Sequence, residues 1–225
     1  MRQAAPTVKE VLGALEHTLL AATASPAQVE ALCDEAAAHG LLGVCVNPLF
    51  IARCKARLAG TGVRVVTVVG FPLASSFSEA TELECLLAVR AGADEIDAVI
   101  RLSAAKSGDW AFVEDDARRI VRAAAGTPVK LILETAVLTP VEIDRACAAA
   151  LAAGAAFVKT STGYAAGGAT TEAVAQLRRC VGERAGVKAS GGIRDLATAR
   201  AMLAAGADRI GTSAGAAIAR ELTGG

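Results

Sequence analysis

The chain has 225 residues, with 23 Lys+Arg against 23 Asp+Glu, 53% hydrophobic residues and only 3% aromatic ones. The balanced charge argues against nucleic acid or an acidic membrane surface as a partner, and no apolar run is long enough to span a bilayer. The length suits one large domain with a substantial core; six cysteines without C-x-x-C or zinc-type spacing, behind no signal-peptide-like start, predict reduced thiols in a cytoplasmic protein.

Residues through Thr7 read as a frayed start, and Val8–Leu15 has helical spacing. Glu16–Leu20 is the first strand candidate. Ser25-Pro26 supplies an N-cap and a proline at the first helical position, so a helix is expected from Ala27 to about Ala38, ended by Gly40. Strand Val44–Asn47 follows, then a helix from Pro48 to about Ala59. Val63–Phe71 is β-branched and continuous, as a fully buried strand is.

The same unit then repeats. Helix 79–90 leads to strand 95–101, helix 112–124 to strand 129–134, and helix 141–152 to a strand opening at Phe157. Helix 171–181 leads to strand 187–190 and helix 195–204 to strand 209–212. Leu222–Gly225 reads as a short flexible end. An Ala-Gly-Ala triplet stands between helix and strand at 91–93, 153–155 and 205–207. There a glycine in the left-handed conformation can reverse the chain. Eight alternating strands and helices without a composition break predict an α/β chain folded as a single (β/α)8 barrel, residues 1–225, with a short helix before its first strand. A doubly wound open sheet is the alternative, but no G-x-G-x-x-G occurs.

Alternation along strands sends every second side chain inward. Asp97, Lys130, Lys159 and Lys188 each stand among apolar neighbours on four consecutive strands. One reading is a buried ion-pair network in which Asp97 neutralises Lys130 and the other lysines reach a rim. Counting three lysines against one aspartate leaves two positive charges uncompensated. Two ammonium groups about 6 Å apart at an effective dielectric of about 20 repel by roughly 2.8 kcal/mol. That is about two pKa units, enough to bring one lysine from about 10.4 to near 8. A neutral lysine amine attacks carbonyls and forms a Schiff base. By spacing alone, Lys159 and Lys188 are interchangeable in that role.

Ser190-Gly191-Gly192-Ile193-Arg194 follows the seventh strand, with Asp195 as the expected N-cap of the next helix. Gly211-Thr212-Ser213-Ala214-Gly215 closes the eighth strand and enters another helix. Glycines let backbone N–H groups converge on phosphate oxygens, and these two loops are a recurrent phosphate site in (β/α)8 barrels.

The motifs F-V-K-T-S-T-G, G-V-K-A-S-G-G-I-R, A-D-E-I-D and A-D-R-I-G-T-S, together with V-C-V-N-P, V-V-G-F-P-L and E-H-T-L-L, span nearly the whole chain. It resembles the deoxyribose-phosphate aldolases. The resemblance implies a metal-independent class I aldolase that needs no cofactor and acts on a small phosphorylated sugar and aldehydes. It also implies roles: Lys159 as the Schiff-base lysine, Lys188 as the lysine that lowers its pKa, and Asp97 in proton relay. Gly163, Gly191, Gly192, Arg194, Gly211 and Ser213 match positions around the phosphate. Lys130 matches a lysine that orients Asp97, while Thr18 and Cys45 match pocket walls. The chain departs from the family pattern at Glu16 (aspartate in many members), Ala74 (glycine), Arg101 (asparagine) and Ala214 (serine). A homo-oligomer is allowed for. Another Schiff-base barrel enzyme, or a phosphate-binding barrel without catalysis, would use the same outline.

Overall fold

Strand–helix alternation in the sequence becomes a closed cylinder in the computed structural model, which describes residues 6–224. Eight parallel strands pair in chain order and the eighth returns to the first. They are β1 (Leu15–Leu19), β2 (Gly43–Val46), β3 (Arg64–Val69), β4 (Glu95–Val99), β5 (Val129–Ile132), β6 (Phe157–Lys159), β7 (Gly186–Ser190) and β8 (Arg209–Thr212). The helices are α1 (Val8–Leu12), α2 (Pro26–His39), α3 (Ile51–Arg57), α4 (Ser78–Arg90), α5 (Leu102–Ser107), α6 (Trp110–Ala123), α7 (Pro140–Ala153), α8 (Thr171–Val181), α9 (Leu196–Ala204) and α10 (Gly215–Thr223). The expected (β/α)8 barrel is therefore the observed fold.

Several local expectations hold for the reasons given. Ser25 caps α2 through a capping box with Gln28, and Gly40 ends it in the left-handed conformation. The glycines of all three Ala-Gly-Ala triplets have positive φ. Others are corrected. The first helix stops at Leu12, because the chain must already be extended at Leu15 to pair with Ile210. Thr7, assigned to a frayed start, is the N-cap of α1 and shares a capping box with Glu10; Met1–Ala5 lie outside the described residues. The helix expected from Pro48 is a 3-10 turn, Pro48–Phe50, followed by α3. Strands predicted to reach Phe71, Arg101 and Glu134 end at Val69, Val99 and Ile132, since apolar character continues past the strand ends at the barrel mouth. Arg101 then opens α5, a short helix the sequence pattern did not suggest. At the other terminus α10 persists to Thr223 where a flexible end was expected, and Gly225 lies outside the described residues.

The two faces of the barrel wall differ in chemistry. Outward side chains such as Val44, Val65, Ile96, Leu131, Val158, Val187 and Ile210 pack under the helices in one continuous apolar core, where alanines such as Ala36, Ala88, Ala117, Ala150 and Ala199 permit close approach. Burying each larger side chain contributes about 1.5–3 kcal/mol. Inward side chains are mixed. Cys45, Val66 and Val68 form a small apolar cluster from β2 and β3, whereas β1 and β4 to β8 bring charge. The stability of the wall lies outside it, leaving the interior free to carry a site.

Candidate active site

The interior charges follow directly from strand alternation. Glu16 comes from β1, Glu95 and Asp97 from β4, Lys130 from β5, Lys159 from β6 and Lys188 from β7, and all six are buried. Asp97 is the hub. Its Oδ1 accepts a hydrogen bond from Lys130 Nζ at 3.0 Å, and its Oδ2 accepts from Lys159 Nζ at 2.7 Å and Lys188 Nζ at 2.6 Å. Lys188 also pairs with Glu16. Lys130 lies 2.6 Å from Glu95 and 3.5 Å from Glu16. Thus Lys159 has one carboxylate partner within 4.0 Å, Lys188 two and Lys130 three.

This geometry corrects the sequence charge count. Three lysines face three carboxylates, so the excess of two positive charges disappears once Glu16 and Glu95 are included. Glu95 was legible: it stands two residues before Asp97 on one strand and must share its face. Glu16 was noted only as a departure from aspartate, and its longer side chain reaches Lys188.

The electrostatics follow the same hierarchy. Burial alone would raise the Asp97 pKa, but Lys130, Lys159 and Lys188 hold it well below the usual carboxylate range. Burial alone would strip Lys188 of its proton, but Asp97 and Glu16 hold its pKa above the ordinary value. Lys130 is likewise raised, against burial, by Asp97, Glu16 and Glu95. Lys188 is therefore a fixed cation and Asp97 a fixed anion at neutral pH. Cys45 sits beside this network, its thiol pushed up to about 11 by burial, and stays neutral.

Above the network opens a cavity of about 380 Å³ lined by Thr18, Leu20, Lys159, Thr162, Gly163, Tyr164, Ser190, Gly191, Gly192, Arg194, Gly211 and Ser213, among others. It gathers Thr18 and every residue assigned to phosphate binding. Lys188, Asp97, Lys130 and Cys45 lie beneath it rather than in its lining. Of the three interior lysines, Lys159 alone reaches the cavity wall. Gly191 and Gly192 have φ of 89° and 80°, a backbone that L side chains rarely adopt. Asp195 caps α9 as expected, accepting from Thr198 N. The N-terminus of α10 begins at Gly215, two residues after Ser213, so its free N–H groups and partial positive charge add to the anion preference of this flank.

Thr162, in the stretch read as the strand end and rim, is held there by Glu134, which the sequence reading took only as the end of a strand. Glu134, at φ 56° and buried, accepts from Thr162 N at 3.1 Å and also from the Thr162 hydroxyl. The Thr162 hydroxyl accepts in turn from Tyr164 N at 3.1 Å. Tyr164 then crosses the mouth to donate its hydroxyl to Leu20 O at 2.8 Å, with Phe71 edge-on to its ring. Two departures from the family pattern also prove to be one feature. Buried Arg101 donates to Ala74 O at 2.9 Å and pairs with Asp116 at 2.9 Å, holding the loop after β3 in place. Among the described residues no group of three or more His, Cys, Asp and Glu side chains is arranged to hold a metal ion.

Comparison with known proteins agrees with this geometry. The profile of the DeoC/LacD family aldolases matches residues 13–222. A deoxyribose-phosphate aldolase of Geobacillus sp. (strain WCH70) is 49% identical over 205 residues, 91% of this chain and 92% of that one. One from Deinococcus radiodurans is 48% identical over 201 residues, 89% of this chain and 91% of that one. The tetrameric deoxyribose phosphate aldolase of Aeropyrum pernix superposes with a TM-score of 0.90 at 30% identity, covering 96% of this chain and 92% of its own.

Proposed function

The chain belongs to the DeoC/LacD family of aldolases, and from that premise we propose that Lys159 is the amine that carries its reaction. The activity is that of a deoxyribose-phosphate aldolase, a carbon–carbon lyase. It reversibly cleaves 2-deoxy-D-ribose 5-phosphate to D-glyceraldehyde 3-phosphate and acetaldehyde, in breakdown of deoxynucleosides. The observation that carries the assignment is exposure to the cavity: Lys159 alone of the interior lysines lines it, and it has the fewest carboxylate partners.

In this reading the neutral Lys159 amine attacks the C1 aldehyde of the open-chain sugar and forms a carbinolamine, then an imine. The C3 hydroxyl loses its proton, the C2–C3 bond breaks, and glyceraldehyde 3-phosphate leaves. The enamine that remains is protonated at carbon, and hydrolysis frees acetaldehyde and Lys159. Asp97, 2.7 Å from Lys159 Nζ, is placed to orient the amine and a water that carries protons between it and the reacting atoms. Lys188 cannot serve as the nucleophile while Asp97 and Glu16 hold its proton; its fixed charge favours loss of the neighbouring one. Lys130 holds the other oxygen of Asp97, so that one face of the carboxylate stays directed at Lys159. Gly163, Gly191, Gly192, Arg194, Gly211 and Ser213 bind the 5-phosphate, with backbone N–H groups and one guanidinium supplying the charge. Thr18 shapes the wall, with Cys45 paired beside it on β2.

Borohydride reduction in the presence of acetaldehyde tests the assignment. A stable two-carbon adduct on Lys159, located by peptide mass spectrometry and absent from Lys159→Ala, is the expected result. An adduct on Lys188, or one that persists in Lys159→Ala, would overturn it. By analogy with the tetrameric relative, a homo-oligomer in the cytoplasm is the form we propose, and light scattering on the purified protein checks the assembly.

A further inference from the structure

Below the reacting lysine the interior continues to a floor, where an arginine completes the charge balance. Arg209, on β8, lies with Nε 4.0 Å from Glu16 Oε1 and a terminal nitrogen 3.9 Å from Glu95 Oε1. Its guanidinium stacks on the Phe157 ring at 5.3 Å, and only 18% of the side chain is exposed. Both Glu16 Oε1 and Arg209 Nε are buried without a hydrogen-bond partner, so charge rather than a formed hydrogen bond links them.

We propose that Arg209 is a positioning residue of the aldolase, acting from the floor of the barrel to make the neutral Lys159 amine the charge-balanced state. The inference rests on the assignment of Lys159 as the nucleophile. Without Arg209 the interior has Lys130, Lys159 and Lys188 against Glu16, Glu95 and Asp97, and loss of the Lys159 proton leaves one net negative charge among buried side chains. With Arg209 there are four cations and three anions while Lys159 is charged. Loss of the proton then brings the sum to zero. Of the remaining surroundings only Arg64 adds charge to this count, and water screens it more than it screens Arg209. Cys45 on β2 is neutral, Val66 and Val68 on β3 are apolar, and Arg64 pairs with Glu95 from a side chain 45% exposed to screening water. Glu134 and Arg194 lie at the mouth, on the loops after β5 and β7.

The test is the pH dependence of kcat/KM, with each variant of opposite sign. A unit charge about 10 Å from a titrating group, at an effective dielectric of about 20, moves its pKa by roughly 1.2 units. Arg209→Gln should therefore move the acid limb of the profile upward by about that amount, with activity recovering on the alkaline side. Arg209→Lys should restore the limb, and Glu95→Gln should move it downward. Arg64→Gln, an exposed change that spares the interior packing, should shift it upward by less than Arg209→Gln. A uniform loss of activity with the limb unmoved, or shifts of the same sign for Arg209→Gln and Glu95→Gln, would overturn the inference. Borohydride labelling of each variant separates the two readings. An adduct on Lys159 with an unmoved limb defeats only the role of Arg209, whereas an adduct elsewhere defeats the assignment beneath it.

Discussion

At the mouth of the barrel Lys159 opens onto a cavity and has one carboxylate partner; toward the floor Lys130 is enclosed by three, over the face of the Phe157 ring. The two residues are chemically identical and both are buried. Their difference lies in how completely each charge is answered. A lysine held by three carboxylates is a structural cation, because removing its proton strands negative charge in a low dielectric. A lysine held by one, at the edge of a cavity, can exchange its proton and bond a carbonyl. Burial alone therefore does not make a nucleophile; incomplete pairing beside an opening does.

The largest effect should come from exchanging these roles. Lys159→Met should lower kcat about 1000-fold or more while the protein stays folded, as acetaldehyde release and thermal melting would show. Lys130→Met strands the carboxylates around it and should cost about 3–5 kcal/mol of stability in urea unfolding. The contrast breaks if Lys130→Met is as stable as the parent while Lys159→Met unfolds.

Glycines at the two levels sharpen the same contrast. At the floor, a Cβ on Gly186 would stand 2.2 Å from the Phe157 ring, so Gly186→Ala should overpack the base and cost about 1–3 kcal/mol. Nearer the mouth, a Cβ on Gly211 would meet Lys188 Cε at 3.0 Å. Gly211→Ala should leave the melting temperature within a few degrees yet lower kcat several-fold. At Gly192, where φ is 80° and no atom lies within 4 Å of an added Cβ, alanine strains only the backbone, by about 1 kcal/mol. Its expected signature is a raised KM for 2-deoxyribose 5-phosphate with no change for unphosphorylated 2-deoxyribose.

The smallest effect is the pH dependence of stability. Asp97 and Glu95 have depressed pKa values, so their contribution is complete above the unfolded values of about 4 and is lost as pH falls toward the folded ones. Lys188 is raised; its contribution is complete below about 10.4 and is lost as pH rises through the folded value. Urea midpoints should be level between about pH 5 and 9 and fall on both sides. Asp97→Asn should flatten the acid side.

The outline of the barrel was readable because its signals are local. Capping residues, left-handed glycines and the change from helical to continuous apolar spacing each act within a few residues, and they reproduced the order of all eight strands. The misjudged segments were those where local signals conflict with pairing. Leu133 and Ile100 look like strand residues but fall just past the strand ends, and Leu102–Ser107 forms a helix beside Arg101, which is anchored to Asp116 and the loop at Ala74. The site was partly readable for the same reason. Alternation placed Asp97, Lys130, Lys159 and Lys188 inward, and the glycine pairs marked the anion flank.

What the sequence determined by itself is thus the fold, the inward face of each strand and the set of residue types available for chemistry. Which charges answer one another was decided only by the closed barrel. Lys159 meets Asp97 across 62 positions of chain, and Lys188 meets Glu16 across 172. No spacing rule links residues so far apart; closing β8 onto β1 does, because it brings the first and last strands into one ladder. The same closure raises a cavity over Lys159 and none over Lys188 or Lys130, and so turns one of three equivalent amines into the reactive one.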